Sequence, residues 1–130
     1  MIEVTAAVIE NNGRILICRR PEGKLFGGFW EFPGGKTEPG ESPEESLGRE
    51  IREELNLEIE IGERIGSFPY HDPPEGIVLT AFHALLRQPG EFVLREHADA
   101  RWIFPGDLDG FSFAPADRPF VEILRNRQRR

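Results

Sequence analysis

The sequence predicts an α+β domain in which a β-sheet packs against helices, and three features lead to this prediction. Apolar runs are separated by a turn signal near the N-terminus, an amphipathic helix follows a segment rich in glycine and proline, and the later strands do not alternate regularly with helices. A length of 130 residues fits one domain with a real hydrophobic core. We therefore treat residues 1–130 as a single domain.

The first predicted element is a β-hairpin. Residues 4–9 read Val-Thr-Ala-Ala-Val-Ile, which is typical of a strand buried on both faces, and residues 14–18 return with mostly apolar character. The Asn-Asn-Gly sequence at 11–13 is a strong signal for the turn between them. Residues 21–40 contain repeated Gly and Pro residues, which predict a structured loop.

An amphipathic helix should begin close to residue 43. Ser42 can act as the N-cap, Pro43 suits the first helical position, and Glu45 completes a capping box with Ser42. Asn56 tolerates the left-handed conformation of a C-terminal cap, so the helix should end there. The apolar face that should pack on the sheet is formed by Leu47, Ile51 and Leu55.

The remaining elements follow from shorter patterns. Strands are predicted at residues 57–61, 64–71, 76–87 and 100–104, and a last helix at residues 115–125. The strand at 57–61 alternates apolar and acidic residues, so its glutamates should face solvent. The sequence shows no internal repeat or linker.

Acidic residues are concentrated in one part of the chain. The formal charge is −7, and residues 38–63 alone contain ten glutamates and two arginines. An acidic chain without a basic stripe is not expected to bind a nucleic-acid backbone. No run approaches the roughly 18 apolar residues of a membrane span, and the start lacks the basic segment of a signal peptide, so we expect a cytoplasmic protein. The single Cys18 excludes an internal disulfide and a cysteine cluster for zinc.

Three glutamates of the predicted helix share one face. Glu50, Glu53 and Glu54 span about 100° of the helix circumference, beside the apolar stripe. Such carboxylates repel one another, whereas a hard cation such as Mg²⁺ makes their proximity favourable because it prefers oxygen ligands. A solvated acidic face is the alternative interpretation. The glycine-rich segment before the helix favours a ligand site, since glycine lets the backbone approach a ligand closely.

The segment that contains these glutamates resembles a known family. From Gly35 to Leu57 the chain resembles the Nudix box of Nudix hydrolases at every defined position but one, because Asn56 stands where the family has Gly. The defined positions read Gly-x5-Glu-x7-Arg-Glu-Ile-x-Glu-Glu-x-Asn-Leu. The flanking segments 30–36 and 114–119 resemble MutT-type nucleotide pyrophosphohydrolases. The resemblance implies the Nudix fold, an α/β/α sandwich around a mixed sheet with the box as a loop–helix–loop.

The resemblance also implies a metal site and its supporting residues. The implied ligands of Mg²⁺, with Mn²⁺ as an alternative ion, are Glu50, Glu53, Glu54 and the Gly34 carbonyl. Glu41 and Arg49 would hold the loop to the helix and orient the ligands. Glu96 matches a loop glutamate of MutT-like relatives that acts at the metal site, as a further ligand or as the general base. Glu50 and Glu53 are alternative bases, and an exposed loop carboxylate is the alternative interpretation of Glu96.

Four residues are predicted to contact the substrate by the same resemblance. Arg20 would bind a phosphate, with an exposed strand-end arginine as the alternative, and Asp117 would read the base between walls formed by Phe32 and Phe82. Relatives that hydrolyse oxidised dGTP have an Asn at the position of Asp117. An ionised Asp only accepts hydrogen bonds, which suits the donors that cytosine and guanine present. The lead substrate is 8-oxo-dGTP, and (d)CTP or 5-methyl-dCTP is the alternative.

The resemblance implies one reaction. Water would attack the β-phosphorus of a nucleoside triphosphate and release a nucleoside monophosphate and pyrophosphate, in sanitation of the nucleotide pool. A non-catalytic nucleotide-binding module is the alternative from another class, although such modules usually lack box carboxylates. We expect a monomer or a homodimer without a nucleic-acid or membrane partner.

Overall fold

The computed structural model describes residues 1–71, 75–88 and 90–128. Within these residues, seven strands form one mixed sheet, and two α-helices pack on it. The elements are β1 (Ile2–Asn11), β2 (Arg14–Arg19), β3 (Trp30–Glu31), β4 (Gly34–Lys36), α1 (Pro43–Leu55), β5 (Ile59–Tyr70), β6 (Ile77–Leu86), β7 (Asp99–Ile103) and α2 (Arg118–Gln128). None of the helices described is long and apolar enough to cross a membrane.

The predicted hairpin is confirmed. Strands β1 and β2 are antiparallel, with Asn11 opposite Arg14 across the turn. Asn12 and Gly13 have φ values of 53° and 76°, so both turn residues are left-handed. Asparagine and glycine adopt this conformation at low cost, which is why this dipeptide forms tight hairpin turns.

The predicted helix α1 and both of its caps are confirmed. The Ser42 side chain accepts from the Glu45 N–H at 3.1 Å, and the Glu45 carboxylate accepts from the Ser42 N–H at 3.0 Å. Asn56 has a φ of 56° and donates its N–H to the Arg52 carbonyl. These caps satisfy backbone groups that have no partner inside the helix, and they fix where α1 begins and ends.

The sheet is buried on both faces. One face packs against α2 in a cluster that includes Ala6, Val8, Leu79, Phe120 and Leu124. The other face packs against α1 in a cluster that includes Ala7, Ile9, Leu47, Ile51 and Leu55. Strand β1 supplies both clusters because successive side chains of a strand point to opposite faces. Parallel pairing of β1 with β6 and antiparallel pairing of the other strands confirm a mixed sheet between helices.

Three boundaries differ from the prediction. The strands expected at 57–61 and 64–71 form the single strand β5, whose pairing register shifts on either side of Arg64. The loop at 21–40 contains the short strands β3 and β4. The last helix begins at Arg118 after a 3₁₀ turn at Pro115–Asp117, because Pro119 lacks an N–H and therefore fits only the first turn of an α-helix.

Candidate functional site

A cavity of about 550 Å³ opens where α1, the sheet and the loop after β2 meet. Its size lies within the usual range for small-molecule sites, roughly 300–1,000 Å³. Most residues predicted from the sequence to contact metal or substrate line it, namely Arg20, Phe32, Gly34, Glu54, Glu96 and Asp117. Two further residues without a predicted role, Glu31 and His97, also line it.

Two glycines allow strand β4 to lie against its neighbours. A Cβ atom on Gly34 would lie 1.9 Å from the Thr5 carbonyl oxygen of β1, and a Cβ on Gly35 would lie 2.5 Å from the Glu50 carboxyl carbon. Side chains at these positions would therefore push β4 away from β1 and from α1. The glycines allow the Glu50 carboxylate to approach the cavity-lining backbone of Gly35 closely.

Arg49 holds the loop before α1 to the helix. Its guanidinium donates to Glu41 at 2.7 and 3.0 Å, to Glu50 at 3.0 Å and to Glu53 at 3.1 Å. A further bond reaches the Lys36 carbonyl at 3.3 Å. The hydrogen bonds from Arg49 lower the pKa of Glu41 to about 2, and those same contacts raise the pKa of Arg49. We call Arg49, Glu41, Glu50 and Glu53 the Arg49 cluster. Its hydrogen bonds are those expected if Glu41 and Arg49 orient the carboxylates of α1.

Glu54 differs from the glutamates that Arg49 contacts. Its Oε2 atom is buried, and no hydrogen-bond partner for it exists among the described residues. Burial and the neighbouring Glu50 carboxylate raise the pKa of Glu54 to about 8. A buried acceptor without a partner is unfavourable, and two adjacent carboxyls are stabilised together by a cation.

The donor set fits a hard divalent cation, although the side chains do not already form a closed metal site. Within residues 1–71, 75–88 and 90–128, no three carboxylate, imidazole or thiol groups are arranged to hold an ion. Glu53 is 58% exposed, and its carboxylate is engaged by Arg49. Glu50 and Glu54 lie side by side and could bind an ion together. Glu53 could also bind it once its ion pair with Arg49 is broken.

Glu96 lies at the mouth of the cavity. Its side chain is 54% exposed and forms an ion pair with Lys24 at 3.6 Å. Glu96 and Glu54 both line the cavity, and the negative charge of Glu96 adds to the rise in the pKa of Glu54. The structure therefore brings the predicted loop glutamate to the cavity that Glu54 of α1 lines, whereas Glu50 and Glu53 are not among its lining residues.

Sequence reasoning missed Glu31 and its partners on the cavity wall. The two Glu31 oxygens contact Arg20 Nη1 at 2.8 Å and His97 Nε2 at 3.1 Å. Burial acts to raise the pKa of Glu31, but the hydrogen bonds from His97 and Arg20 outweigh it, and the pKa is lowered. The available signal was a charged residue between the buried Trp30 and Phe32, since a carboxylate in such a position needs a partner.

Asp117 is a buried carboxyl that lines the same cavity. It is 5% exposed, and its Oδ1 accepts from the Phe32 N–H at 3.0 Å. Burial and the negative charge of Glu31 raise its pKa to about 8. The sequence argument treated Asp117 as ionised, and this needs correction. Because most Asp117 carboxyls carry a proton near pH 7, Asp117 can donate as well as accept a hydrogen bond.

The two predicted aromatic walls have different positions. Phe32 lines the cavity and packs against Phe113, with ring centroids 5.2 Å apart. Phe82 lies in the cluster beneath α1 and does not line the cavity, so the prediction that it forms a base-binding wall was wrong. The error arose because side chains alternate between the two faces of a strand, and Phe82 was assigned to the wrong face. Leu79 and Ala81 of β6 face the α2 side, and Phe82 faces the other side.

Comparison with known proteins identifies the family. The NUDIX domain model matches residues 1–124. The chain is 41% identical over 124 residues to the CTP pyrophosphohydrolase of Escherichia coli, which covers 95% of this chain and 91% of the relative. It is 36% identical over 130 residues to the 8-oxo-dGTP diphosphatase of Haemophilus influenzae, covering 97% and 93%.

Solved structures agree with the sequence comparison. The solution structure of the Escherichia coli ORF135 protein matches with a TM-score of 0.84 and 39% identity, over 98% of this chain and 91% of that one. The crystal structure of the MutT protein from Methanosarcina mazei matches with a TM-score of 0.85 and 27% identity, over 99% and 96%. The cavity, the box helix and these matches together show that the chain belongs to the NUDIX domain family.

Proposed function

We propose that this protein hydrolyses nucleoside triphosphates to nucleoside monophosphates and pyrophosphate with the help of a bound divalent cation. The observation that carries the proposal is that one cavity is lined both by the buried Asp117 and by Glu54, which lies beside Glu50 and has a buried oxygen with no partner among the described residues. A nucleotide needs cations near its phosphates and hydrogen-bonding groups near its base. Glu54 would help to bind the cation near the phosphates, and Asp117 would form hydrogen bonds with the base.

The relatives support this reaction class. Their names describe a CTP pyrophosphohydrolase and an 8-oxo-dGTP diphosphatase, and both cover more than nine tenths of the chain. The carboxylates of α1 that match the Nudix box are all present. This favours an enzyme over a non-catalytic nucleotide-binding module.

The residues that would hold Mg²⁺, or Mn²⁺ in its place, are Glu50, Glu53, Glu54 and the Gly34 carbonyl. A bound ion of this kind neutralises phosphate charge and lowers the pKa of a coordinated water. Its binding would also give the buried Glu54 oxygen a partner. Arg49 would keep Glu50 and Glu41 in place while Glu53 changes partner.

The side chains of the protein would bind the nucleotide and accept the proton of the attacking water. Arg20 lines the cavity with its guanidinium fixed by Glu31, so it can donate to a phosphate without first being ordered. Glu96 is the candidate base at the cavity mouth, and Glu50 and Glu53 are the alternatives. A base must lie within hydrogen-bonding reach of the water, which the exposed Glu96 side chain can adjust.

Asp117 would read the base. A protonated Asp117 offers a donor next to an acceptor, which complements the ring nitrogen and amino group of cytosine and also the carbonyl and N–H of 8-oxoguanine. The name of the relative with 41% identity supports CTP, the ribonucleotide of the alternative (d)CTP or 5-methyl-dCTP, and the name of the relative with 36% identity supports 8-oxo-dGTP. We therefore propose both as substrate candidates for the same pocket.

A substrate panel tests the proposal. Canonical, oxidised and methylated nucleoside triphosphates are each incubated with the protein and Mg²⁺, and kcat/KM is measured from pyrophosphate release. We expect Mg²⁺-dependent release with a clear preference for one of the two candidates. No release from any nucleotide, together with binding of a nucleotide, would instead support the non-catalytic module.

Isotope labelling tests the position of attack. In H₂¹⁸O, attack at the β-phosphorus places the label in pyrophosphate, and mass spectrometry of the products detects it there. Label in the nucleoside monophosphate would show attack at the α-phosphorus and would overturn this part of the proposal.

A further inference from the structure

The segment that carries Glu96 is attached to α1 on one side. Arg95 Nη1 donates to the Glu53 carbonyl at 3.0 Å and to the Arg52 carbonyl at 3.4 Å. Its backbone N–H donates to the Glu54 carbonyl at 3.3 Å. The last carbonyls of a helix have no partner within the helix and carry partial negative charge, so an arginine is well suited to bind them. Arg95 thus fixes the segment to the end of the helix that carries the box glutamates.

The same segment is attached to the cavity wall on the other side. The His97 side chain is only 5% exposed, and its Nε2 lies 3.1 Å from Glu31 Oε2. The following residue, Ala98, donates its N–H to the Arg19 carbonyl at 2.9 Å. In the part of the chain that the structure describes, His97 Nδ1 has no partner. The bond to Glu31 is therefore the ring's main polar attachment.

Glu96 itself is weakly attached. Its ion pair with Lys24 is long, at 3.6 Å, and both side chains are more than half exposed. Exposed ion pairs of this kind contribute little to holding a side chain in place, because water screens the charges. The position of Glu96 relative to the cavity therefore depends on its two neighbours in the chain rather than on its own contacts.

We propose that Arg95 and His97 are positioning residues that place Glu96 between α1 and the wall formed by Arg20 and Glu31. The inference rests on the proposed function, in which Glu96 acts at the reacting phosphate. Arg95 sets the distance of Glu96 from the carboxylates of α1. His97 sets the distance of Glu96 from the wall formed by Arg20 and Glu31. Misplacement of a reacting group by about 1 Å can reduce a rate about 100-fold.

The test measures kcat and KM for Arg95→Met, His97→Leu and His97→Gln at saturating Mg²⁺. Arg95→Met and His97→Leu should lower kcat by about 10- to 100-fold, with KM within about threefold of wild type. His97→Gln should recover most of the rate, because its amide can donate to Glu31 from nearly the position of Nε2. Arg52→Met is the matched control, since Arg52 lies at the same helix end but only forms an exposed 3.7 Å ion pair with Glu58. It should have wild-type kcat.

A second set of variants shows whether the two residues act through Glu96. In a Glu96→Gln background, Arg95→Met and His97→Leu should lower kcat by less than about twofold further, since residues that act as a unit are not additive. Full, independent effects in that background would overturn the inference. An effect of His97→Leu on KM alone would also overturn it, because His97 would then act on nucleotide binding through Glu31.

The outcomes separate this inference from the proposed function. Wild-type turnover in Glu96→Gln would overturn the positioning role, while Mg²⁺-dependent hydrolysis itself would stand. Absence of hydrolysis by the wild-type protein would contradict the proposed function instead. If thermal melting shows that Arg95→Met does not fold, the comparison of His97→Leu with His97→Gln decides the question.

Discussion

The Arg49 cluster and the cavity carboxyls, by which we mean Glu54 and Asp117, balance negative charge in opposite ways. In the Arg49 cluster one guanidinium serves three carboxylates, and the pKa of Glu41 falls to about 2. In the cavity no cation of the protein contacts the two carboxyls within the described residues, and the pKa of each rises to about 8. Both regions belong to one acidic protein, but the carboxylates of the Arg49 cluster are neutralised by a guanidinium, whereas Glu54 and Asp117 are held mostly in the protonated form near pH 7.

This difference suggests that Arg49 and Glu41 have a structural role, whereas Glu54 has a role in binding a ligand. The Arg49 cluster is complete without any ligand, because each of its carboxylates already has a strong donor. The Glu54 Oε2 atom, in contrast, is buried away from water and has no hydrogen-bond partner among the described residues. Removing a carboxylate should therefore lower stability in the Arg49 cluster, whereas removing the Glu54 carboxylate should leave stability unchanged or raise it.

The largest effect is expected for Glu54→Gln. The change removes a buried carboxyl that lies beside Glu50 and whose Oε2 has no partner among the described residues, so the melting temperature should stay constant or rise. Turnover should fall by about 100-fold or more, because stabilisation by a metal is worth several kcal/mol. Steady-state kinetics with a Mg²⁺ titration, together with thermal melting, measures both effects. Near-wild-type turnover at low Mg²⁺ would mean that Glu54 is not a ligand.

A smaller effect is expected for Arg49→Lys. Lysine keeps the charge but cannot donate in parallel to Glu41, Glu50 and the Lys36 carbonyl. We expect turnover to fall by about tenfold and the melting temperature to fall by a few degrees, since loop and helix are held less firmly. Arg52→Lys, on the exposed side of the same helix, is the control and should change neither quantity. Equal behaviour of the two variants would show that the Arg49 cluster has no orienting role.

Asp117→Asn should change which substrate is preferred rather than the rate for all substrates. Asparagine presents a donor and an acceptor at every pH, whereas Asp117 does so only while protonated. At pH 9, where most Asp117 carboxyls are ionised and only accept, we expect changes of several-fold in relative kcat/KM between cytidine and 8-oxoguanosine nucleotides, and smaller changes at pH 7. The wild-type preference should vary between pH 6.5 and 9, and the variant preference should not. An unchanged ranking in the variant would show that Asp117 does not read the base.

The two regions should also give opposite dependences of stability on pH. Glu54 and Asp117 have pKa values of about 8 in the folded protein, whereas such groups have values of about 4 in unfolded chains. Their stabilisation is therefore present below about pH 4 and is lost as the pH rises through about 8. Glu41 shows the reverse, because its stabilisation is present above about pH 4 and is lost as the pH falls towards 2.

Urea unfolding between pH 5 and 9 measures the first of these dependences. The free energy of unfolding should decrease as the pH rises, and Glu54→Gln and Asp117→Asn should each reduce the slope. Glu58→Gln, which changes an exposed carboxylate after α1, should leave the slope as it is. A wild-type slope that both cavity variants retain would contradict the assignment of raised pKa values to these carboxyls.

Local patterns predicted the parts of the fold that depend on neighbouring residues. The Asn12–Gly13 turn and the Ser42 cap were predictable because each needs only a few adjacent residues to adopt its conformation. The bulges beside Arg64 were not, because register depends on how β5 meets β6 across the sheet. The same limit explains the wrong prediction for Phe82, because the face of the sheet on which its side chain lies depends on how β6 is placed in the sheet.

The candidate site was predictable in its motif and not in its electrostatics. The spacing of Glu50, Glu53 and Glu54 is a property of one helix, and the metal-site prediction followed from it together with the resemblance of residues 35–57 to the Nudix box. The bond between His97 and Glu31 joins residues 66 positions apart, and only the folded chain brings them together. The protonation of Asp117 likewise depends on burial, which the sequence does not specify for a single carboxylate.

The central claim is that Glu54, whose buried Oε2 has no partner among the described residues, binds a divalent cation together with Glu50. Calorimetric titration of Mg²⁺ into the nucleotide-free protein tests this most directly, with wild type, Glu54→Gln and the exposed control Glu58→Gln measured side by side. We predict that Glu54→Gln weakens Mg²⁺ binding by at least about tenfold, as loss of one carboxylate ligand should, while Glu58→Gln binds as the wild type does. Equal Mg²⁺ affinity in wild type and Glu54→Gln would contradict the claim.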